Sequence, residues 1–428
     1  MPVFSEPIFS KLANRSVSVL DSGPDVLLPS YDGLGLANLP GTISHWLGGP
    51  KLGLPLLDDF MLEKLGQHYR RVVLVLVDAL GYNQLVRLMG EGKADFWSRA
   101  LGKGKLFPLT SISPSTTASA LTTVWTGAAP NAHGIIGYEM WTQELSMVIN
   151  TILHSPTTFA GSAGSLSSSG FNPTGFLGRE TLGSLLAHRG IESQVFLPGS
   201  IGNSGLSQMH LSSTQLHSYI GESDLWANMR DLLNTRPAGR QFIYAYWSDV
   251  DSLTHRYGTY DERVTLQLES FSHGLEHILL EGLHDRARAD TLFLVTADHG
   301  SLTTPIDEAY TLSNHPALCA NLVMQPTCES RLPFLYIKPG SETAIRDYFE
   351  MAWPGQFSLY SRAEILEAGL LGQQDAHPDL ANRVGDLVAV PHGDAYLWWA
   401  HKANLMKGRH GGLHPDEMLV PLFAVSLD

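Results

Sequence analysis

The sequence is poor in cysteine and in positive charge, and each shortage argues against a class of protein. It has two cysteines, Cys319 and Cys328, in 428 residues. A pair separated by a proline-containing loop is more typical of two free thiols than of a disulfide framework, and it favours a reducing compartment. The net charge is −14, and no run of Lys and Arg occurs. Since a phosphate backbone needs clustered cations, we expect no nucleic-acid polymer among the partners.

The sequence also lacks a secretory leader and a long apolar run. Its first residues, "MPVFSEPIFSKLANRSVSVLDSG", have no basic start followed by a continuous apolar segment and a small-residue cleavage site. No stretch reaches the ~20 apolar residues that cross a bilayer. We therefore expect a cytoplasmic protein that does not bind membranes. Nothing in the sequence indicates an oligomeric state.

Several apolar runs are present, and they end in acidic residues. Hydrophobic residues make up 43% of the chain, which is enough for a large core. The runs at 72–77, 241–247 and 291–296 are typical of buried parallel strands, and helical patterns occur at 180–188 and 262–283. This alternation predicts an α/β fold with a parallel sheet, whose carboxyl edge carries the polar residues that follow each strand.

Two segments interrupt the alternation. The Gly- and Ser-rich segment 155–175 predicts a long loop within a cap over the sheet edge, and the mixed pattern after residue 300 predicts an insertion. The predicted division of the chain is an N-terminal extension packed on the core at 1–65, an α/β core at 66–300 and 408–428 with a cap at about 138–178, and a subdomain at 301–407.

Six acidic and histidine side chains are candidates for one site, because most of them follow strands whose carboxyl ends converge. They are Asp78, Asp251, His255, Asp298, His299 and His410. Each alone has an ordinary alternative, such as a helix cap, a chance D-x-x-x-H spacing, or a surface or core histidine. Together, converging carboxylates would repel one another unless a cation neutralised them. Carboxylate and imidazole without thiolate suit Zn, Mn or Fe, and six such ligands plus a hydroxyl are enough for two divalent ions.

The stretch "SISPSTTASALTTVWTG" at 111–127 is rich in hydroxyl groups. It is either a solvated linker or a segment that presents one hydroxyl for chemistry. The pattern at 118–126, closed by Gly127, predicts a helix that starts at Thr117. A helix N-terminus favours both an alkoxide and a phosphate oxygen.

Five segments taken together resemble one family. In chain order they read "VDALG", "PSTTASALTTVWTGAAPNAHGIIGYEMW", "DVDSLTHRYG", "TADHGS" and "HGGLHPDEMLVPL". They are similar to segments of the type I phosphodiesterase/nucleotide pyrophosphatase family of the alkaline phosphatase superfamily. The resemblance runs from about Val72 to the C-terminus and is least distinctive at 301–407. It implies a doubly wound, mostly parallel central sheet with helices on both faces and cap insertions.

The resemblance also implies roles for the candidate residues. It assigns to one metal site Asp78, Thr117, Asp298 and His299, and to a second Asp251, His255 and His410. The family's spacing favours Asp251 over Asp249, and the H-G-G run favours His410 over His414. His414 precedes Pro415, where a helix N-cap is expected, and a role beside the ligands or the substrate stays open for it. Zn is the expected metal, with Mn and Fe as alternatives.

Counting back from "HGII" at 133–136, the resemblance implies that Thr117 is the nucleophile. The implied reaction is the hydrolysis of a phosphoric ester through a covalent phospho- or nucleotidyl-threonine, which water then cleaves. The substrate would be a small phosphoester or a nucleotide. Nucleotide pyrophosphatases carry F-P-N-H after the nucleophile, whereas this chain has Ala120 at the Asn position, so a nucleotide is less firmly implied. The lack of an arginine near Thr117 in the sequence favours diesters.

The alternatives are a phosphomonoesterase or phosphomutase of the same superfamily, and a metal-binding protein without turnover. A sulfatase would need a C/S-x-P-x-R run, which "STTAS" does not provide. The G-x-S-x-G motif of serine hydrolases and the G-x-G-x-x-G motif of dinucleotide-binding enzymes are also absent. The preferred prediction is therefore a phosphodiesterase or nucleotide pyrophosphatase with two divalent metals.

Overall fold

The structure is a computed structural model that describes residues 5–13, 20, 25–100, 102–157, 162–235 and 239–428. In these ranges the chain forms sixteen β-strands and nineteen α-helices. The strands are β1 (Arg71–Val77), β2 (Lys105–Thr110), β3 (Glu139–Thr142), β4 (Met147–Asn150), β5 (Ser155–Pro156), β6 (Glu192–Pro198), β7 (Gln215–Tyr219), β8 (Gln241–Trp247), β9 (Thr291–Thr296), β10 (Leu302–Thr303), β11 (Thr327–Glu329), β12 (Leu332–Leu335), β13 (Phe357–Ser361), β14 (Leu387–Pro391), β15 (Gly408–Arg409) and β16 (Leu419–Ser426). The helices are α1 (Ser5–Ala13), α2 (Leu39–Trp46), α3 (Asp59–Leu65), α4 (Tyr82–Gly90), α5 (Asp95–Ala100), α6 (Thr117–Thr126), α7 (Pro130–His133), α8 (Pro173–Leu177), α9 (Leu182–Ala187), α10 (Gly205–His210), α11 (Glu222–Thr235), α12 (Asp249–Tyr257), α13 (Glu262–Gly274), α14 (Asp285–Arg288), α15 (Pro316–Cys319), α16 (Glu342–Ala352), α17 (Arg362–Glu367), α18 (Leu380–Arg383) and α19 (Pro415–Met418).

The central sheet contains seven strands in the order β2-β16-β9-β1-β8-β6-β7. Neighbouring strands from β9 to β7 are parallel, while β16 runs antiparallel to both β9 and β2. Every side chain of β1, β8 and β9 is buried, as expected for a sheet with helices on both faces. The predicted α/β fold with a mostly parallel central sheet is therefore confirmed, and β8 and β9 have the predicted bounds.

A second sheet of seven antiparallel strands joins two distant parts of the chain. Its order is β13-β14-β12-β11-β3-β4-β5, and β11 meets β3 where Cys328 pairs with Glu139. The strands at 139–156 come from the segment where the sequence predicts a cap, and those at 327–391 come from the segment where it predicts a subdomain. Both segments thus contribute to one sheet.

Two hydrophobic clusters form the core. The larger cluster consists of side chains of the central sheet and of the elements packed on it, and it includes residues of the N-terminal segment such as Leu36 and Ile43. Parts of the segment 1–65 lie outside the described residues. Strand β14 contributes to both clusters, since Leu387 packs in the smaller and Val388 in the larger. Because successive side chains of a strand point to opposite faces, the second sheet is packed between the two clusters.

Two segments differ from the elements expected from the sequence. The predicted helix at 262–283 divides into α13 and a π-helical segment at Leu275–Leu280. The predicted loop at 155–175 contains β5, a 3₁₀ helix at Ser165–Ser169 and the start of α8. Residues 158–161 of that loop lie outside the described residues. The loop is therefore more ordered than its Gly and Ser content predicts.

The structure bears on two predictions made from the sequence, one about the cysteines and one about membrane-spanning segments. Cys319 is exposed, Cys328 is buried, and both are free thiols, in agreement with the sequence-based interpretation. Among the described helices, none combines the length and the apolar character that crossing a bilayer requires.

Candidate active site

Five candidate residues lie at the carboxyl edge of the central sheet. Asp78 directly follows β1, and Asp298 and His299 follow β9. Strand β8 leads into α12, on which Asp251 and His255 are four residues apart. Residues at this spacing face the same side of a helix. The parallel strands thus bring these side chains to one edge, where ligands bind in open α/β sheets.

Two further candidates come from outside the parallel strands. Thr117 is the first residue of α6, with Thr116 as the N-cap residue and Gly127 in a left-handed C-cap conformation. This is the helix predicted from the sequence. His410 follows β15, and an antiparallel bridge between Ser115 and Gly411 holds its loop beside the start of α6. The hydroxyl-rich segment and the H-G-G run therefore meet at the same edge of the sheet.

One group of possible metal ligands surrounds the ring of His299. Its Nε2 atom lies 3.2 Å from Thr117 Oγ1, 3.4 Å from Asp78 Oδ1 and 3.6 Å from Asp298 Oδ2. A ligand atom from each of Asp78, Asp298 and His299 lies within 4.8 Å of the other two. All of these side chains are buried.

A second group surrounds Asp251. Its Oδ1 atom lies 3.2 Å from His255 Nε2 and 3.8 Å from His410 Nε2. The ring of His410 stacks on that of His299, with 3.8 Å between the centroids. Ligand atoms of Asp251, His299 and His410 lie within 4.8 Å of one another, so His299 is within reach of both groups. His255 joins the second group through its contact with Asp251.

Three carboxylates in this cluster each have an oxygen that accepts no hydrogen bond from any described residue. These buried atoms are Asp78 Oδ1, Asp251 Oδ1 and Asp298 Oδ2. Burial raises the pKa of Asp78 well above its ordinary value, and the charges of Asp298 and Asp251 raise it further. Burial also raises the pKa of Asp298. Because uncompensated buried carboxylates are costly and the donor set has oxygen and imidazole nitrogen without thiolate, the cluster fits divalent ions such as Zn, Mn or Fe.

The three imidazoles of the cluster are oriented by the backbone. Each Nδ1 atom donates to a carbonyl oxygen: His255 to Gly408 at 2.8 Å, His299 to Gly300 at 2.9 Å and His410 to Ser115 at 3.1 Å. The Nε2 atoms are then free to face the carboxylates. Burial lowers the pKa of His410 well below its ordinary value, and the neighbouring His299 and His255 lower it further. A neutral imidazole is the form that binds a metal.

Four of the other eight hydroxyls of the 111–127 stretch donate to backbone oxygens, namely Ser111 to Asp298, Ser115 to Gly412, Thr122 to Ala118 and Thr126 to Thr122. Thr117 differs, because its hydroxyl contacts His299 in the cluster. The side chain of the N-cap residue Thr116 does not cap α6, so within the described part of the chain the first N–H groups of this helix remain available to an anion.

Two residues beside the cluster were not identified from the sequence. Tyr246 lies inside β8, and its hydroxyl donates to Asp78 Oδ2. Glu329 lies in β11 of the second sheet and accepts a hydrogen bond from Thr116 Oγ1 at 2.5 Å. An aromatic residue in a buried strand is typical of core packing, and Glu329 belongs to the segment whose resemblance is least distinctive. The sequence around Tyr246 and around Glu329 therefore does not indicate a functional site.

Two cavities meet at Thr117. The larger has a volume of about 390 Å³, and its lining includes Thr116, Thr117, Asp251, His255 and His410 together with Tyr138, Glu139, Glu329, Trp398, Trp399 and Lys402. The smaller has a volume of about 130 Å³, and its lining includes Thr117, Leu121, Trp125, Leu197, Leu206, Tyr244 and Tyr246. Among the described residues that line them, Lys402 is the only lysine or arginine.

Three residues considered from the sequence lie apart from the ligand groups. Asp249 forms a hydrogen bond outside the cluster, so Asp251 is the aspartate of α12 that joins it. His414 is the N-cap residue of α19 and accepts a backbone N–H, as its position in the sequence predicted. Ala120 is fully buried and lines neither cavity. The expectation drawn from the missing Asn, that a nucleotide substrate is less firmly implied, stays a prediction.

A mostly parallel central sheet with helices on both faces, and with carboxylates and imidazoles gathered at its carboxyl edge, is the fold of alkaline phosphatase-like proteins. The sequence model of the type I phosphodiesterase/nucleotide pyrophosphatase family matches residues 72–413, so the chain belongs to that family. The protein is therefore a phosphoester hydrolase of a metal-dependent family.

Solved structures share the fold. Murine ectonucleotide pyrophosphatase/phosphodiesterase 5 superposes with a TM-score of 0.61 at 17% identity, covering 82% of this chain and 87% of that one. An inactive variant of the same murine protein, in complex with AMP, gives a TM-score of 0.60 at 17% identity over 82% of this chain and 87% of that one. Phosphonoacetate hydrolase from Sinorhizobium meliloti, in complex with phosphonoacetate, gives 0.61 at 16% identity, covering 83% of this chain and 90% of that one. At these identities the likeness establishes the fold alone. A comparison with curated sequences returned no match.

Proposed function

We propose that this protein is a metal-dependent phosphodiesterase whose nucleophile is Thr117. The observation that carries the proposal is the position of its hydroxyl, which begins α6, borders both cavities and lies 3.2 Å from His299 Nε2. A threonine alcohol is a weak nucleophile at neutral pH unless a base or a cation activates it. The neighbouring carboxylates and imidazoles are the groups that would hold such a cation.

Two divalent ions would be held by the cluster. One would bind Asp78, Thr117, Asp298 and His299, and the other Asp251, His255 and His410. Zn is the expected metal, and Mn and Fe suit the same donors. The three carboxylate oxygens without hydrogen bonds support this assignment. When bound, the ions supply positive charge that lowers the pKa of the Thr117 hydroxyl and offsets the charge on the phosphoryl oxygens.

The chain's own groups then account for two displacement steps. Thr117 Oγ1 attacks phosphorus as the bond from phosphorus to the leaving oxygen breaks, and the leaving oxygen takes up the proton that the Thr117 hydroxyl gives up. The uncapped N–H groups at the start of α6 hold a phosphoryl oxygen during this step. Water next attacks the phospho- or nucleotidyl-threonine and breaks its bond to Oγ1. This second step releases the product and restores the hydroxyl.

The charges around the larger cavity favour phosphodiesters over phosphomonoesters. Lys402 is the only described lysine or arginine in its lining, whereas Glu329 places a carboxyl group there beside the residue that precedes Thr117. A monoester carries one more negative charge than a diester, and no arginine of the described lining is placed to neutralise it. The ligands of the structural neighbours, AMP and phosphonoacetate, support a small phosphorus-containing substrate.

The test of this function is the Thr117→Ala variant, with Thr117→Ser as the matched control. We expect Thr117→Ala to lose several orders of magnitude in the hydrolysis of bis-p-nitrophenyl phosphate and to keep its metal content. Thr117→Ser keeps a hydroxyl and should keep measurable turnover. Metal analysis and kcat/KM for this diester and for p-nitrophenyl phosphate provide the readouts.

Each alternative predicts a different result in these assays. If Thr117→Ala keeps most of its activity, Thr117 is not the nucleophile. Faster hydrolysis of the monoester than of the diester would indicate a phosphomonoesterase or phosphomutase. Bound metal with no turnover of either ester would indicate a metal-binding protein.

A further inference from the structure

Glu329 lies between the ligand cluster and the second sheet. It lines the larger cavity together with Thr117 and Asp251. Its Oε1 atom accepts hydrogen bonds from Thr116 Oγ1 at 2.5 Å and from the N–H group of Tyr138 at 3.2 Å. The two displacement steps described above give this carboxyl group no role.

The hydrogen bond from Thr116 is unusual for an N-cap residue. An N-cap hydroxyl commonly accepts a hydrogen bond from an N–H group of the first turn, which contributes about 1 kcal/mol to stability. Thr116 makes no such bond in α6. Its hydroxyl donates to Glu329 instead. The carboxyl group is thereby fixed next to the residue that precedes the proposed nucleophile.

The backbone at Glu329 is strained and closely packed. Cys328 has φ of +75°, in the left-handed region that is unfavourable for residues other than glycine. A Cβ atom on Gly137 would lie 2.6 Å from Cys328 Cα, and one on Gly411 would lie 2.5 Å from Glu329 Cβ, so both positions require glycine. Strain of this kind persists where the surroundings fix it, and it is common at functional sites. The fold therefore holds this carboxyl group at the cavity.

No described lysine or arginine forms an ion pair with Glu329. Burial raises the pKa of Glu329 to about 8, while the hydrogen bonds from Thr116 and Tyr138 act in the opposite direction. When ionised, the carboxylate exerts an electrostatic field on any anion that enters the cavity.

We propose that Glu329 is a specificity-determining residue, whose carboxylate repels dianionic phosphomonoesters and so selects monoanionic diesters. This inference rests on the proposed function, because it takes phosphorus to be attacked by Thr117 in this cavity. The phosphoryl oxygens of a monoester carry two negative charges at alkaline pH, and those of a diester carry one. A fixed carboxylate that lines the same cavity as Thr117 therefore penalises the monoester by one extra charge interaction, which is enough to change the relative rates roughly tenfold.

The experiment compares Glu329→Gln with Glu139→Gln in the metal-loaded, full-length protein. Glutamine keeps the shape of Glu329 and an oxygen that can accept from Thr116. Glu139 lines the same cavity, but its carboxylate accepts from Trp399 Nε1 at 2.8 Å and makes no described contact with α6. The readout is the ratio of kcat/KM for p-nitrophenyl phosphate to that for bis-p-nitrophenyl phosphate at pH 9. This ratio does not depend on the fraction of enzyme that is folded and loaded.

We expect Glu329→Gln to raise the ratio of monoester to diester hydrolysis about tenfold and Glu139→Gln to change it much less. An unchanged ratio, or an equal change in both variants, would overturn the inference, as would loss of both activities, since Glu329 would then serve turnover or folding. Glu329→Ala should move the ratio in the same direction, which excludes an effect of the new amide.

A parallel assay of Thr117→Ala separates the two proposals. If that variant is active, the proposed function fails. If it is inactive and the ratio in Glu329→Gln is unchanged, only the inference about Glu329 fails.

Discussion

At the scale of single residues, Tyr246 shows how a neighbour orients a ligand. Its hydroxyl donates to Asp78 Oδ2, while Asp78 Oδ1 accepts no hydrogen bond and stays free for a cation. The Tyr246→Phe variant loses this donor but keeps the ring, so we expect it to fold and to bind metal about 10- to 100-fold more weakly. Titration of the metal-free variant with Zn or Mn, followed by activity, measures the change.

The matched control is Tyr244→Phe. Tyr244 lies two residues earlier on the same face of β8, and its hydroxyl forms no hydrogen bond with a described carboxylate. We expect this variant to bind metal as the unmodified protein does. Equal losses in the two variants would mean that orientation of Asp78 is not the cause, and undiminished metal affinity in Tyr246→Phe would rule out the role of its hydroxyl.

Residues that directly follow a long apolar run could be predicted from the sequence, whereas a residue inside a buried strand, such as Tyr246, could not. Asp78 and Asp298 each follow an apolar run, so their place at the sheet edge follows from the pattern. Thr117 begins a helix that the sequence marks with Gly127 at its end. The contact of Tyr246 depends instead on the register of two strands, in which it pairs with Leu76. That register is set by packing between segments far apart in the chain.

At the scale of elements, α6 is held in place by two buried histidines. His210 Nε2 lies 2.9 Å from Thr122 Oγ1, and His133 Nε2 lies 3.0 Å from Thr123 Oγ1. Thr122 already donates to a backbone oxygen, so the imidazole of His210 donates to it. Burial, and to a smaller extent the neighbouring His154, lower the pKa of His210 to about 3.

This shift makes the stability of the protein depend on pH. Between about pH 3 and pH 6.5 the unfolded chain protonates His210 and the folded chain does not, so stability falls as the pH falls through 6.5. From pH 7.5 to pH 5 the loss is about 2 kcal/mol for this residue. We expect His210→Gln, which keeps an N–H donor, to show a smaller decrease in Tm over that range.

The control for this prediction is His188→Gln, which removes an exposed histidine and should leave the decrease in Tm unchanged. Thermal unfolding at several pH values, with the metal content held constant, provides the measurement. If His210→Gln loses as much stability between pH 7.5 and pH 5 as the unmodified protein, His210 does not resist protonation in the folded state.

The elements themselves differ in how far the sequence predicts them. The strands of the central sheet are long apolar runs, and they were predicted because burial on both faces leaves a continuous pattern. The second sheet was not predicted, since β3, β4 and β5 have two to four residues each and too few positions for a period to show. Its central pairing joins Glu139 to Cys328, across a large part of the chain. Local patterns carry no information about such a pairing.

At the scale of the whole molecule, the site depends on both sheets. The central sheet places the carboxylates, and the second sheet places Glu329 against the cavity. A buried ion pair between Arg331 and Glu417 links the two sheets, with 2.7 Å between Arg331 Nη2 and Glu417 Oε2. Glu417 Oε1 also accepts from the N–H group of Gly412 at 3.0 Å, two residues after His410. Since losing one partner of a buried pair is strongly destabilising, this link fixes the His410 loop to the second sheet.

Metal removal should affect the stability of the whole molecule, because ions that bind only the folded state raise Tm. We expect EDTA to lower Tm and Zn or Mn to restore it. In the metal-free protein Asp78, Asp251 and Asp298 lie close together without a cation. Burial and the charges of Asp298 and Asp251 oppose the ionisation of Asp78 and raise its pKa. At pH 8, well above the ordinary carboxyl pKa, this raised pKa is a cost to the folded state.

The Asp298→Asn variant separates this cost from general damage to the site. Asparagine keeps the oxygen that accepts from the N–H groups of Ala79 and His299, and it removes one negative charge from the cluster. We therefore expect the metal-free variant to have a higher Tm than the metal-free unmodified protein at pH 8, and to gain little when Zn is added. Thermal unfolding with and without metal measures both effects. A carboxylate that binds a cation destabilises the folded protein when the metal is removed and stabilises it when the metal is bound. If the metal-free variant has a lower Tm than the metal-free unmodified protein, or if Zn raises its Tm as much, Asp298 does not form part of a cation site.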